Sequence, residues 1–189
     1  TFYCPYKPVI QYVVEEALQS GIEEILIITG HGKRAIEDHF DTNVELEHAL
    51  YQKGKDQMLK MVQDISAINV HYIHQKHVRD LGDAILCAKS FIDNDPFAVL
   101  LGDEMIYNNQ NPALQQLLQA YEKSGTTIMG CQPMTEEQMM PVDVLEGSQC
   151  ADSELIRVHN IQELHKALRD NQTYNCLGRY VFTPDIFEI

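Results

Sequence analysis

Apolar and polar positions follow two rhythms along this chain, one typical of amphipathic helices and one typical of buried strands. Residues 8–20 carry apolar side chains at helical spacing, beginning at a proline suited to a first helical turn and ending at Gly21. Residues 25–29 form a short, mostly β-branched run, as found in parallel strands that are covered on both faces. The first 30 residues therefore predict a helix followed by a strand.

The same two rhythms recur through the remaining chain. The pattern predicts helices at 33–40, 83–91 and 112–123, and two helices or one kinked helix at 44–65. It predicts strands at 70–75, 96–101, 126–131 and 176–182. Between 135 and 173 the pattern weakens, and we expect a strand at 154–158 and a helix at 162–168. A further helix is predicted to start at 183–185.

Strands and helices in alternation predict an α/β domain of the Rossmann-like type. We expect a mostly parallel sheet with right-handed crossovers and helices on both faces, in one domain over residues 1–189. Its strands would lie near 24–29, 70–75, 97–101 and 126–131, with Ile27, Val99 and Leu100 deeply buried. Ligands of such sheets bind beyond the carboxyl ends of the strands, so the loops there are the candidate sites.

Charge and cysteine content narrow the class of partner. The chain has 14 Lys and Arg against 28 Asp and Glu, a formal net charge of -14, which disfavours nucleic acid and anionic membranes. Its five cysteines are widely spaced without a CxxC pair, which favours reduced thiols and a cytoplasmic location. No apolar run approaches the roughly 20 residues that span a bilayer. We expect a soluble protein with small-molecule partners.

Several motifs resemble bacterial UTP–glucose-1-phosphate uridylyltransferases, also called UDP-glucose pyrophosphorylases. The matching segments read KPVIQYVVEEA at 7–17, GIEEI at 21–25, GKRAIEDHFD at 32–41, PFAVLLGD at 96–103 and GRYVFTP at 178–184. The resemblance covers nearly the whole chain apart from 135–173. It implies a nucleotidyltransferase fold, Mg²⁺ as cofactor, UTP and glucose 1-phosphate as partners, and a possible homo-oligomer.

The resemblance also carries individual residues into candidate roles. Asp103 matches the family aspartate that holds Mg²⁺, and Gln75 matches the glutamine that hydrogen-bonds uracil. Gly82 matches the glycine that lets the backbone approach the nucleotide, and Gly178 matches a position that lines the sugar pocket. The implied reaction needs no covalent nucleophile, because the sugar phosphate attacks the α-phosphorus in line. No residue is therefore assigned a catalytic role.

Departures from the family leave two hypotheses open. The family Gly-Leu-Gly-His-Ala reads Asp-Leu-Gly-Asp-Ala at 80–84, and its Gly-Asp-Asp reads Gly-Asp-Glu at 102–104. We expect the chain to lack the glycine-rich triphosphate loop, the Glu-Lys-Pro motif and the C-terminal part of the family. The first hypothesis is an enzyme of this family, and the second is a non-catalytic relative that acts as a partner or regulatory subunit.

Overall fold

The structure is a computed structural model and describes residues 7–77, 79–133, 142–150, 155–164 and 173–188. The helices are α1 (Val9–Gln19), α2 (Arg34–Phe40), α3 (Val44–Gln52), α4 (Asp56–Ser66), α5 (Leu81–Cys87), α6 (Lys89–Ile92) and α7 (Ala113–Ser124), with a 3₁₀ helix at Pro184–Glu188. The strands are β1 (Ile25–Thr29), β2 (Val70–His74), β3 (Phe97–Leu100), β4 (Ile128–Pro133), β5 (Val142–Gln149), β6 (Ile156–Leu164) and β7 (Thr173–Phe182). No described helix is long and apolar enough to cross a bilayer.

The chain divides into two compact units. We call Thr1–Gly21 together with Asn94–Ile189 the discontinuous unit, and Ile22–Asp93 the continuous unit. The continuous unit therefore forms from one unbroken stretch of chain, whereas the discontinuous unit needs segments from both sides of it.

The continuous unit is built around a parallel pair of strands. β1 and β2 pair in register from Ile25 opposite Val70 to Thr29 opposite His74. The connection between them holds α2, α3 and α4, as a parallel pair requires a long crossover. Ile27 is buried, as its place in an apolar parallel strand predicts. The predictions of β1, β2 and α2 are confirmed, and 44–65 holds two helices, the first of the two alternatives, whereas the single helix predicted at 83–91 is divided into α5 and α6.

The discontinuous unit contains a five-stranded sheet in which every described pairing is antiparallel. β4 pairs along most of β7, with Ile128 opposite Val181 and Pro133 opposite Tyr174. β4 lies along one edge of β7. β3 and β5 lie along the opposite edge of β7, β3 at its C-terminal end and β5 at its N-terminal end. β6 extends the sheet beyond β5. The sheet is therefore organised around β7.

Several expectations are corrected here. The mostly parallel sheet is wrong: β3 and β4 pair antiparallel with β7, and only β1 with β2 is parallel among the described strands. Val99 and Leu100 were expected to be deeply buried but are half-buried. The expectation assumed an inner parallel strand covered on both faces, and β3 is not such a strand. Residues 162–164 belong to β6 and not to a helix, while 165–168 lie outside the described residues. β5 was not predicted.

Candidate functional site

The carboxyl ends of β1 and β2 are joined by hydrogen bonds just before Gln75. The Thr29 carbonyl accepts from the Gln75 backbone N–H at 2.9 Å, which continues the parallel ladder by one residue. Thr29 Oγ1 lies 3.2 Å from Nδ1 of His74, and Nε2 of His74 lies 3.1 Å from Glu37 Oε1. These contacts fix the position from which the Gln75 side chain leaves the strand.

Gln75 lies beside the start of α5, which carries Gly82. The Gln75 side-chain amide donates to Asp83 Oδ2 at 3.3 Å, and the Asp83 backbone N–H donates to Asp80 Oδ1 at 2.8 Å. Asp80 is therefore the N-cap of α5, a role in which a short carboxylate side chain is favoured. The structure thus brings Gln75 and Gly82, the two predicted nucleotide-binding residues, to one short segment.

The protein itself does not require a glycine at position 82. A Cβ placed there would lie 3.5 Å from Asp80 Oδ1, which is an ordinary van der Waals contact, and Gly82 is exposed in the first turn of α5. A glycine is also an unfavourable choice inside a helix, by about 1 kcal/mol relative to alanine. A close-approaching ligand is one physical reason for a glycine at such a place.

Asp103 lies on the turn that follows β3 and is exposed. Its carboxylate is therefore not in the core. Among the described residues, no cluster of three or more His, Cys, Asp or Glu is placed to hold a metal ion. Because Mg²⁺ commonly takes one or two carboxylates and completes its shell with water and phosphate oxygens, Asp103 fits a metal shared with a bound phosphate.

A fully buried guanidinium holds the turn that carries Asp103. Arg179, on β7, is 0% exposed and donates through Nη1 to the Leu101 carbonyl at 3.4 Å and the Gly178 carbonyl at 3.2 Å. Its Nη2 donates to the Glu104 carbonyl at 2.9 Å and to Glu16 Oε2 at 2.9 Å, and Nε donates to the same Glu16 oxygen at 3.1 Å. Arg179 is consequently bound to both ends of the turn.

Gly178, the predicted sugar-pocket residue, is packed against the same turn. Its φ is +57°, a left-handed conformation that favours glycine, and a Cβ would lie 2.8 Å from the carboxylate carbon of Glu104. The Leu101 backbone N–H donates to the Gly178 carbonyl at 2.9 Å. The left-handed backbone conformation thus favours glycine here, independently of any sugar.

The candidate residues fall into two groups. Gln75 and Gly82 belong to the continuous unit, and Asp103 and Gly178 belong to the discontinuous unit. Within its unit, each group is brought together by the hydrogen bonds and contacts described above. The predicted ligand roles of all four residues remain predictions.

Sequence reasoning did not single out Arg179 and Glu16. Both are charged residues beside apolar ones: Glu16 lies at helical spacing from Val13 on α1, and Arg179 precedes the apolar end of β7. Charged side chains are almost never fully buried unless they are paired. The signal available in the sequence was therefore one acidic and one basic residue at positions whose neighbours predict burial.

The discontinuous unit also has a small pocket between α1 and the segment before α7. Tyr12 and Glu15 line it from α1, and Tyr107 and Asn108 line it from the segment. The rings of Tyr12 and Tyr107 meet edge to face, with centroids 6.1 Å apart. None of the four predicted ligand residues lines this pocket, so it does not bear on their roles.

Comparison with known proteins gives one consistent family. A profile of the family described as "Nucleotidyl transferase" matches residues 1–189. A UTP–glucose-1-phosphate uridylyltransferase of Streptococcus pyogenes is 44% identical over 186 residues, which are 97% of this chain and 61% of that protein. This chain therefore spans about three fifths of the length of that relative.

Solved structures agree with the sequence comparison. A UTP-bound UGPase from Acinetobacter baumannii superposes with a TM-score of 0.85 at 31% identity, covering 96% of this chain and 65% of that one. A UDP-glucose pyrophosphorylase complexed with UDP-glucose superposes with a TM-score of 0.80 at 32% identity, covering 96% and 66%. The likeness confirms the α/β nucleotidyltransferase fold expected from the motifs.

Proposed function

This chain belongs to the nucleotidyl transferase family, and from that premise we propose that it serves the reaction of a UTP–glucose-1-phosphate uridylyltransferase. In that reaction UTP and glucose 1-phosphate give UDP-glucose and pyrophosphate. The 44% identity to the streptococcal enzyme supports this reaction within the family.

The observation that carries the proposal is the placement of Asp103. An exposed carboxylate follows directly on β3, on a turn whose two ends are both bound to the buried Arg179. A hard oxygen ligand on a fixed turn is suited to Mg²⁺ bound together with a nucleotide phosphate. Bound Mg²⁺ would supply neutralisation of the phosphate charge in a chain whose formal net charge is -14.

The proposed chemistry is an in-line displacement at phosphorus. A phosphate oxygen of glucose 1-phosphate forms a bond to the α-phosphorus of UTP as the bond to pyrophosphate breaks, and pyrophosphate leaves with that electron pair. Gln75 would hydrogen-bond the uracil, and Gly82 would allow the backbone to approach the nucleotide. Gly178 would line the sugar pocket. These residues act by positioning, which is the main protein contribution to such transfers.

Calorimetric titration of the 189-residue chain tests the proposal. UTP, UDP-glucose and glucose 1-phosphate are each titrated with and without Mg²⁺, and we expect UTP to bind with a Mg²⁺-dependent affinity. Asp103→Asn should remove the dependence on Mg²⁺. Asp95→Asn is the matched control, because Asp95 is an exposed aspartate that precedes β3 instead of following it. Equal effects of the two variants would contradict the assigned role of Asp103.

A second candidate function is a non-catalytic relative that acts as a partner or regulatory subunit. The observation that favours it is that the Gln75 amide is engaged by Asp83, a carboxylate where the family has histidine. The double change Asp80→Gly with Asp83→His separates the two functions. Nucleotide binding by that variant and not by the unchanged chain would favour the non-catalytic relative.

Synthesis itself is measured by pyrophosphate release. We expect the 189-residue chain to give at most a trace of UDP-glucose, since phosphate-binding cations are few near the candidate residues in its sequence. Turnover within the usual enzyme range of roughly 1 to 10³ per second would contradict this expectation.

A further inference from the structure

We propose that Arg179 is a positioning residue for Asp103, and that Glu16 holds Arg179 in the orientation this requires. The inference rests on the proposed function, because it takes Asp103 to be the Mg²⁺ ligand. Arg179 itself is 0% exposed, so it cannot contact a nucleotide, a sugar or a metal ion. Its effect on the site must pass through the turn to which it is bound.

The geometry of the guanidinium matches the two ends of the turn. Nη1 reaches the Leu101 carbonyl, before Asp103, and Nη2 reaches the Glu104 carbonyl, after it, at 3.4 and 2.9 Å. The planar fork of arginine fixes the angle between its donors, so two carbonyls bound to one fork keep a fixed separation. The backbone around Asp103 is thereby restrained on both sides.

Glu16 fixes the orientation of the Arg179 guanidinium. Its carboxylate is only 6% exposed, and its Oε2 accepts from both Nε and Nη2 of Arg179. Oε1 accepts from the Leu114 backbone N–H at 3.0 Å, at the start of α7. A buried charge that is paired and hydrogen-bonded on both sides has little freedom to change orientation. The Glu16–Arg179 pair therefore connects α1 and α7 to the turn.

The backbone of Arg179 is also held in place, by close packing against β4. A Cβ added to Gly130 on β4 would lie 3.2 Å from the Arg179 carbonyl oxygen and 3.3 Å from its Cβ. β4 therefore packs closely against β7 at this residue. The position from which the guanidinium reaches the turn is set by the sheet.

The test compares Arg179→Lys with a control variant on the same strand. Lysine keeps the charge and the pair with Glu16 but has a single nitrogen, which cannot bind both carbonyls of the turn in the same way. Val181→Ala is the control, because Val181 is 1% exposed on β7 and has no polar contact with the turn. Both variants should lower stability, but only one should loosen the turn.

The first measurement is Mg²⁺ affinity in the presence of UTP, by calorimetry. We expect Arg179→Lys to weaken Mg²⁺ binding about 10- to 100-fold, the usual effect of removing a residue that orients a metal ligand. Val181→Ala should leave the Mg²⁺ affinity unchanged. An unchanged affinity in Arg179→Lys, with stability lowered, would reduce Arg179 to a structural residue and overturn the inference.

The second measurement is amide hydrogen exchange over residues 101–105, which include the Leu101 N–H that donates to the Gly178 carbonyl, and it needs no metal. Exchange there should become faster in Arg179→Lys than in Val181→Ala. If the unchanged chain binds no Mg²⁺ with UTP, the proposed function fails, and the exchange rates alone decide whether Arg179 holds the turn. Should Arg179→Lys not fold, Glu16→Asp replaces it, since it keeps the charge that pairs with Arg179 but shortens the side chain that orients the guanidinium. Equal exchange in the substituted and control chains contradicts the inference.

Discussion

The segment after β2 and the turn after β3 both carry predicted ligand residues, but they are stabilised in different ways. After β2, Asp80 and Asp83 are exposed and half-buried, and their hydrogen bonds measure 2.8 and 3.3 Å. After β3, the turn is bound at both ends by Arg179, which is 0% exposed. One region depends on surface hydrogen bonds and the other on a buried ion pair.

The difference sets what a substitution costs in each region. A hydrogen bond at the surface contributes about 0.5 to 1.5 kcal/mol, and a cap at a helix start contributes about 1 kcal/mol. Leaving a buried charge without its partner costs about 3 to 5 kcal/mol. Substitutions after β2 therefore change the chemistry of the loop at little cost in stability, whereas replacing Arg179 or Glu16 leaves a buried charge unpaired and destabilises the discontinuous unit.

The largest effect is expected for Glu16→Ala. The change leaves the Arg179 charge buried and unpaired and frees the Leu114 backbone N–H, so it should cost about 3 to 5 kcal/mol. Amide hydrogen exchange under increasing urea measures the cost in each unit separately. Exchange in β1 and β2 serves as the internal control, because they belong to the continuous unit. Equal destabilisation of both units would contradict a local role for the ion pair.

A smaller effect is expected for Gly178→Ala. The added Cβ would lie 2.8 Å from the Glu104 carboxylate carbon and 3.0 Å from Leu101 Cδ1. Because the end of the Glu104 side chain can move aside, we expect overpacking to add about 1 kcal/mol to the roughly 1 kcal/mol that alanine costs in a left-handed conformation. Gly125→Ala is the matched control, since Gly125 has a φ of +64° and nothing within 4 Å of the added Cβ. Urea denaturation should show the larger loss at Gly178. Combining Gly178→Ala with Glu104→Ala should recover part of the difference, and no recovery would exclude the Glu104 contact as its cause.

The smallest effect is expected for Asp80, the N-cap of α5. Asp80→Ala should cost about 1 kcal/mol, because the Asp83 backbone N–H loses its acceptor. Asp80→Asn keeps the acceptor without the charge and should cost less. Urea denaturation of the two variants distinguishes the cap from the charge. A loss in Asp80→Asn as large as in Asp80→Ala would mean that the charge, and not the hydrogen bond, is what stabilises the helix.

Local patterns predicted the elements of the continuous unit well. β1 was predicted at 25–29 and lies at Ile25–Thr29, and in the discontinuous unit α1 was predicted at 8–20 and lies at Val9–Gln19. Apolar periodicity, a proline at the start and a glycine at the end are properties of neighbouring residues, so they are visible in the sequence. Parallel pairing of β1 and β2 also follows from the helical connection between them.

The pairing of the discontinuous unit could not be predicted in this way. Phe97 pairs with Phe182, residues far apart in the chain, and apolar alternation does not identify a partner or a direction. The candidate site was predicted only in part. The motifs predicted Gln75, Gly82, Asp103 and Gly178, but not the residues that hold them in place. The restraint on Asp103 depends on Arg179 and Glu16, which meet only after folding.

The central place of β7 has a consequence for synthesis on the ribosome. β3 and β4 both pair with β7, whose last residue, Phe182, is made about 80 residues after the end of β3. At a synthesis rate of roughly 5 to 20 residues per second, about 4 to 16 s pass between the synthesis of the end of β3 and that of the end of β7. The continuous unit has all its strands by residue 74 and has no such delay. Nascent chains arrested before residue 173 should therefore resist protease within Ile22–Asp93 while β3 and β4 are cleaved, and equal resistance of both regions would contradict this order of folding.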